Sequence, residues 1–592
     1  MYLRRHRSGT GEQTYEYWTL VKSVRRACGP RQETIAALGK LPGLDEPVRA
    51  GWEEIEALLD GGVASKQLSF GDSAKREEPL WREVNVRDVR VERTREFGEV
   101  YLALALWRRL QLHTLLGQLI ESGKEEVPWE LTACVLTVAR FCGELSELGV
   151  AQRWYQRTAL EDLLGVRWDK INEDRLYRGL DELVDKKDQL TAHLLKRYES
   201  WFGVRFEFLL YDVTSTFFEG QGGGQKAAHG HSRDNRPDCK QVCIGLVVSP
   251  EGLPLAFEVF AGNRNDVTTV QEIVRMMETK YGKAQRIWVM DRGMVSQENL
   301  DFLRQRQAYY VVGTSKAELK KFQSALLDRE GWQKVRPDVE VKLLESTEEQ
   351  FVLCRSAARL QKEKGMLARQ EERLLKKLLQ IDQTLTRTPK KKALVERRIG
   401  RWLGRYTAAE KLFEVNVLEN DAHQACGLAI ACRMDRAQWA QRAQGAYLLR
   451  SNWREKDPSK FWDWYVQLQQ AEAAFRTSKS DLKLRPIFHH KTERVDAHIL
   501  VCFLSLAMWR TLEMWMKGKG LGTCARQLVG EIATIKSMDV VLPVRTDQEQ
   551  TELRLRAVSK PDRMVAELLQ RLGLHLPTRT KTIENVVQKI GV

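Results

Sequence analysis

Two aspartates close apolar, strand-like runs: Asp212 within "FLLYDVTSTFFEG" (208–220) and Asp291 at the end of "RIWVMD". A carboxylate at the end of a buried strand is costly unless something pairs with it. If the two strands are neighbours in a mixed sheet, both carboxylates reach one edge, where like charges need a bridging cation. Ligands made only of oxygen suit Mg²⁺ or Mn²⁺, which bind through a few carboxylates together with substrate phosphate. A third acid lies on a helical stretch after "GAYLLRSN". Tyr465, Leu468, Glu472, Arg476 and Lys479 fall at offsets 0, 3, 7, 11 and 14, which keeps them on one helical face. A core-facing helix would not carry a phenol, a carboxylate, a guanidinium and an ammonium in one row. A helix laid along a phosphate backbone would, with the carboxylate turned toward a metal. The competing structural reading makes Asp212 a turn cap acting with Thr214 and Ser215.

Elements must bring these groups together. "RFEFLLYDV" reads as a strand, and "QVCIGLVVSPEGLPLAFEVF" as two strands joined at Pro250-Glu251-Gly252. A helix over "VTTVQEIVRMMETKYG", a strand at "RIWVMD", a helix over "SQENLDFLRQRQ" and a strand at "AYYVVGT" follow. Three consecutive strands and then an alternation of helix and strand predict a mixed α/β sheet flanked by helices. Strand character returns at "KLFEVNVL", "CGLAIACR" and "GAYLLRSN", before one long helix through "WDWYVQLQQAEAAFRTSKSDL" and an apolar helix to about Met516.

The 592-residue chain carries a formal net charge of +15, which points to a polyanionic partner. Much of the surplus is local: residues 359–405 hold 15 Lys or Arg against 5 Asp or Glu. Leu367, Leu374, Leu378, Ile381 and Leu385 repeat at heptad-like spacing there, and "TRTPKKK" breaks the helix. The stretch reads as a basic helical hairpin set into the α/β domain, with Lys376, Lys377, Lys390, Lys391, Lys392, Arg397 and Arg398 as candidate DNA contacts. The plain alternative is a solvated helix pair used for packing.

Three blocks, "YDVTSTFFEG", "VMDRG" and Tyr465-x2-Leu468-x3-Glu472-x6-Lys479, resemble the DDE insertion-sequence transposases that carry a Tyr-Arg-Glu-Lys signature. "SRDNRPDCKQV" (232–242) and "AEAAFRTSKSDLKLRPIFHH" (471–490) resemble the long-chain branch of that group. The resemblance covers most of the chain from about 205 to 515 and, less specifically, its basic opening. It implies a ribonuclease-H-like catalytic fold with a large insertion before the Glu-bearing helix. It implies that Asp212, Asp291 and Glu472 are catalytic and hold two divalent metals, Mg²⁺ with Mn²⁺ as a substitute, and that Tyr465 and Lys479 contact phosphates of the transposon end. The signature arginine is Leu468 in this chain, and Arg476, two turns along the same face, is the candidate for the missing charge. The implied activity is DNA transposition. The enzyme would bind its element's terminal inverted repeats, cleave the ends and join them to target DNA by two-metal phosphoryl transfer, working on double-stranded DNA as a homodimer. The alternatives are a metal-dependent nuclease without strand transfer and an inactive DNA-binding repressor.

The expected domains are a small basic α/β module over 1–60, a helical and DNA-binding region over 61–200 that opens with a polar linker to residue 95, a catalytic domain over 201–320 and 440–515, an insertion over 321–439, and a helical tail over 516–592. Residues 31–41 read as a helix. Ten scattered cysteines fit free thiols in a reducing cytoplasm, with association to the nucleoid of a prokaryote. The apolar stretch at 498–509 is too short to span a bilayer, so no membrane partner is expected. His229, His231, Cys239 and Cys243 lack the spacing of a standard zinc finger, and Cys243 falls in a strand. "GQGGGQ" (220–225) lacks the Lys-Ser/Thr of a phosphate loop and reads as a flexible connection. "HSRDNRPD" sets charges beside the active edge, as a substrate-facing loop or a solvated turn. His489 and His490 read as structural, and the 17 tryptophans mainly as core.

Overall fold

The computed structural model describes residues 2–8, 15–26, 29–39 and 82–586, apart from 122, 145, 221–222, 283–284, 347, 546–549 and 578–579. At its centre is a nine-stranded sheet. In chain order the strands are β1 (Phe208–Phe217), β2 (Gln241–Val248), β3 (Pro254–Ala261), β4 (Ile287–Met290), β5 (Tyr309–Gly313), β6 (Gln333–Arg336), β7 (Val339–Glu345), β8 (Gln350–Ser356) and β9 (Ala446–Ser451). They lie side by side as β6-β7-β8-β9-β5-β4-β1-β2-β3. The β1–β3 meander is antiparallel, and β4 and β5 run parallel to β1. This 3-2-1-4-5 half is the ribonuclease-H-like arrangement expected from the sequence. Strands β2 and β4 are buried along their whole length, as their unbroken apolar runs require of strands covered on both faces.

The helices that matter for the site are α1 (Val270–Tyr281), α2 (Gln297–Gln305), α3 (Ala357–Arg387), α4 (Lys392–Arg405), α5 (Pro458–Val466), α6 (Leu468–Ser480) and α7 (Thr492–Gly518). The long helix expected over 462–482 is two, α5 and α6, broken at Gln467 (φ −61°, ψ −17°). Helix α7 is long and apolar enough to cross a membrane, but 89% of its apolar window is buried inside the fold. It packs on β3, on α6 and on the helices Trp129–Phe141 and Glu173–Leu183, joining the N-terminal helical region to the catalytic sheet through one core.

Four expectations change. First, residues 333–356 are not part of the insertion: β6, β7 and β8 extend the catalytic sheet through β9, which pairs with both β5 and β8. What leaves the sheet is the stretch from α3 to Ala443, with a core of its own formed by Leu374, Leu378, Ile381, Leu385, Val395 and Ile399. Second, part of the supposed linker is a strand, Arg90–Glu96, paired with Lys536–Arg545. Its polar composition misled because its charges are matched by partners distant in sequence: Arg90 meets Glu552 at 2.6 Å and Arg95 meets Asp162 at 2.6 Å. Third, the tail is not simply helical. Lys536–Arg545, Gln550–Val558 and Lys581–Val586 form a sheet with that strand, and the period-2 pattern of "TELRLRAV" carries the signal. Fourth, "RQETIAALGKL" is not a helix. Gly29–Gly39 is a strand, paired antiparallel with Tyr15–Arg26, and this pairing satisfies the backbone whatever the local preference. Tyr2–Ser8 pairs antiparallel with the other edge of Tyr15–Arg26, and the remainder of the 1–60 module and the linker up to 81 lie outside the described residues.

Candidate active site

Strands β1 and β4 are parallel neighbours with Tyr211 opposite Met290. The next residues are Asp212 and Asp291, so strand register alone sets the two carboxylates side by side at one edge. Glu472, in the second turn of α6, faces the same space. All three line one cavity of about 400 Å³, together with Tyr465, Val466, Leu468 and Gln469 of α5 and α6.

Asp212 is half-buried, whereas Asp291 and Glu472 are exposed. Burial pushes the Asp212 carboxyl up to about 7. The Val213 N–H, which donates to its Oδ1 at 2.8 Å, and Arg233 pull it down, while the charges of Asp291 and Glu472 push it further up. A carboxyl in that state is short of positive charge. The three acids offer only oxygen, the donor type that suits a hard divalent cation, and line one cavity, though their ligand oxygens do not all lie within 4.8 Å of one another in this arrangement. The turn-cap alternative is not formed: Ser215 Oγ accepts from the Arg233 N–H at 3.2 Å instead.

The Tyr465 hydroxyl donates to Asp291 Oδ1 at 3.1 Å. Its ring lies against Gly313 of β5, where a β-carbon would meet Tyr465 Oη at 2.5 Å. Lys479 is 11% exposed and donates to Asp234 Oδ1 at 2.9 Å; Arg485 shares that carboxylate. Burial lowers the Lys479 ammonium's pKa, and Asp234 only partly offsets it. The "HSRDNRPD" loop is therefore neither loose nor merely solvated. Asp234 holds Lys479, and the Arg233 guanidinium is bound to Asp266. Arg476 is exposed and is not among the residues lining the cavity. Two arginines that sequence reasoning missed do line it: Arg336 at the end of β6 and Arg359 in the first turn of α3. They lie more than a hundred residues before Glu472, and no local pattern marks them.

Two successive helices form in the basic stretch, α3 and α4, and their connection carries a short strand, Lys390–Lys391, paired with Gln424–Ala425. Lys376, Lys390, Lys391, Arg397 and Arg398 are exposed. Lys377 sits over the Trp402 ring at 5.3 Å, and Lys392 pairs with Glu419 at 2.6 Å. These groups stand on the insertion's separate core and do not line the catalytic cavity. In the glycine-rich segment, Gly223 and Gly224 make close approaches to other backbone. A β-carbon at Gly223 would meet the His490 carbonyl oxygen at 2.0 Å, and Gly224 has φ +82° against Thr492.

Among the described residues, His229, His231, Cys239 and Cys243 form no common ligand cluster; the one group of that kind is Glu147, His489 and His498, all buried. It reads as an ion network. The Arg140 guanidinium lies 3.4 Å from His498 Nδ1 and 3.9 Å from Glu147 Oε1, which puts a cation where a metal would sit. His489 meets Glu147 at 3.5 Å and so fastens the segment after α6 to the helical region.

A ribonuclease-H-like sheet with one acid in the middle of β1, which runs on past Asp212 to Phe217 instead of ending there as the sequence suggests, a second just after the parallel strand β4 and a third on a following helix defines a DDE-type enzyme of DNA phosphodiester chemistry. The chain belongs to the DDE transposase family: residues 207–508 match the transposase DDE domain. Residues 3–69 match the N-terminal domain of IS1634 family transposases. The protein is a DNA transposase, and its family acts with divalent metal ions. No curated protein matches the chain. Among solved structures, a piggyBac transposase synaptic complex with hairpin DNA is 8% identical at a TM-score of 0.34, covering 73% of this chain and 79% of that one. A Mos1 transposase paired-end complex with the left transposon end is 16% identical at a TM-score of 0.14, covering 33% of this chain and 60% of that one.

Proposed function

We propose that this transposase, a member of the group with the Tyr-Arg-Glu-Lys signature, binds the terminal inverted repeats of its own element as a homodimer. It cleaves the ends and joins them to target DNA at the Asp212–Asp291–Glu472 centre, in the nucleoid of a prokaryotic cytoplasm. The observation that carries the reading is the convergence of three acids, far apart in the chain, on one cavity beside basic groups. Asp212, Asp291 and Glu472 would hold Mg²⁺, with Mn²⁺ as a substitute. When bound, the metal supplies Lewis acidity and neutralises phosphate charge. The protein's own part is to position and to balance charge. Tyr465 orients Asp291 through its 3.1 Å hydrogen bond. Lys479, fixed by Asp234, offers positive charge two turns beyond Glu472 to the DNA backbone. The exposed lysines and arginines of the hairpin extend that contact along the duplex.

The test is substitution. Asp212→Asn, Asp291→Asn and Glu472→Gln are each expected to abolish Mg²⁺-dependent cleavage of a duplex carrying the element's end while leaving its binding intact. Wild-type cleavage by any one of them refutes the site. Supplying pre-cut ends separates joining from mere nicking: nicking without joining makes the protein a nuclease.

A further inference from the structure

The row of residues on α5 and α6 lacks an arginine where the family signature has one, because Leu468 stands there. Leu468 nevertheless opens into the catalytic cavity. The wall that completes this cavity comes from β6, from the turn into β7 and from the start of α3, and it carries two guanidinium groups. Arg336 is exposed and rests on the face of Trp462, 4.7 Å from the ring centroid. Arg359 rests on the face of Tyr447 at 4.7 Å and donates from Nε to Glu363 at 3.1 Å. Trp462 and Tyr447 themselves line the cavity.

We infer that Arg336 and Arg359 are DNA-contacting residues of the active site, supplying to the phosphodiester in the cavity the guanidinium charge that Leu468 cannot. The inference rests on the Asp212–Asp291–Glu472 reading and deepens it. Stacking on a ring face leaves the N–H edge of a guanidinium free to grip phosphate oxygens in the plane. Among the described residues no ion pair of Arg336 is seen, and the acid beside it in the cavity lining is Asp338. A phosphate group in the cavity would therefore meet these guanidinium groups as well as the three carboxylates, all of which line it. Charge fixed in advance where negative charge develops is commonly what lowers the barrier most in phosphoryl and acyl transfer. Arg476, the sequence-based candidate, is exposed outside this cavity.

The experiment uses the full-length protein and a duplex carrying the terminal repeat that flanks its gene. Arg336→Gln, Arg359→Gln, the double variant and Arg359→Lys are compared with wild type and Asp212→Asn. Far-ultraviolet circular dichroism and melting establish that each folds. Binding is measured in EDTA across a salt series, and single-turnover cleavage in Mg²⁺. Each glutamine variant is expected to lose about 100-fold in cleavage and to lower the slope of log affinity against log salt by about 0.9. Arg359→Lys should keep the slope and lose part of the rate. Adding Leu468→Arg to the double variant should restore at least tenfold in cleavage. If Asp212→Asn still cleaves, the underlying site reading fails. If Asp212→Asn is inactive but the glutamine variants cleave like wild type with an unchanged slope, the inference alone is overturned. Loss of cleavage with an unchanged slope and no rescue by Leu468→Arg also overturns it, since the arginines would then only shape the cavity.

Discussion

A single methyl group at Gly313 should disable the active site without touching any acid. The β-carbon of Gly313→Ala would lie 2.5 Å from Tyr465 Oη, 3.2 Å from Cζ and 3.4 Å from Cε2. A relaxed non-bonded contact is about 3.5 Å, so the tip of the ring must retreat by about 1 Å. The Oη–Asp291 Oδ1 hydrogen bond, 3.1 Å long, then opens beyond bonding range. Misplacing a catalytic constellation by about 1 Å costs about 100-fold in rate, or about 2.7 kcal/mol of barrier. The assay is single-turnover cleavage of an end duplex beside equilibrium binding of the same duplex. Binding should hold while cleavage falls. Gly293→Ala, two residues from Asp291, is the matched control: its nearest neighbour would be Asp266 Oδ2 at 3.8 Å, and its rate should stay at wild type. In a Tyr465→Phe background the clashing oxygen is gone, so Gly313→Ala should cost less than about fivefold more. Wild-type cleavage by Gly313→Ala, or the same 100-fold loss in both backgrounds, refutes the coupling from β5 through Tyr465 to Asp291.

Two further outcomes concern the fold and the DNA surface. Burial alone would raise the Glu147 carboxyl, but its hydrogen bond to His489 and the charges of His489, His498 and Arg140 bring it down to about 2. A carboxyl lowered from 4.5 to about 2 contributes about 3 kcal/mol of stability. That contribution is full above pH 4.5 and disappears as pH falls from 4.5 through about 2. Glu147→Gln should therefore destabilise the protein by about 3 kcal/mol in urea unfolding at about pH 6 and flatten its acid limb; an unchanged midpoint contradicts the network. Replacing Lys376, Lys390, Lys391, Arg397 and Arg398 with glutamine should weaken end binding and reduce the salt slope by about 0.9 for every phosphate left unneutralised. An unchanged slope removes the hairpin from the interface.

The core of the site was legible because its signals are local. Asp291 follows directly on an apolar strand and Asp212 interrupts the apolar run of a strand that continues to Phe217, and parallel register does the rest. Helical spacing finds Tyr465, Leu468 and Glu472, which line the cavity although the helix breaks at Gln467, but it also enrols Arg476 and Lys479, which do not. The unread parts depend on pairings between distant segments. β6–β8 look like the start of an insertion until β9, about ninety residues later, bridges them to β5. Arg336 and Arg359 acquire meaning only from that bridge. The strand Arg90–Glu96 reads as linker because its partners for charge and for hydrogen bonds lie at 161–162 and beyond 536. Gly223 and Gly224 read as slack because the backbone they touch is some 270 residues away.

Helix α3 begins at the wall of the catalytic cavity and ends at the lysine-rich turn, 31 residues on. At about 1.5 Å per residue that is a rod about 46 Å long. Lying along a duplex, it would span about thirteen base pairs at about 3.4 Å each. If the lysine-rich end of α3 meets DNA as proposed, the helix would set a fixed distance between that contact and the cavity, and one added helical turn would lengthen it by about 5 Å.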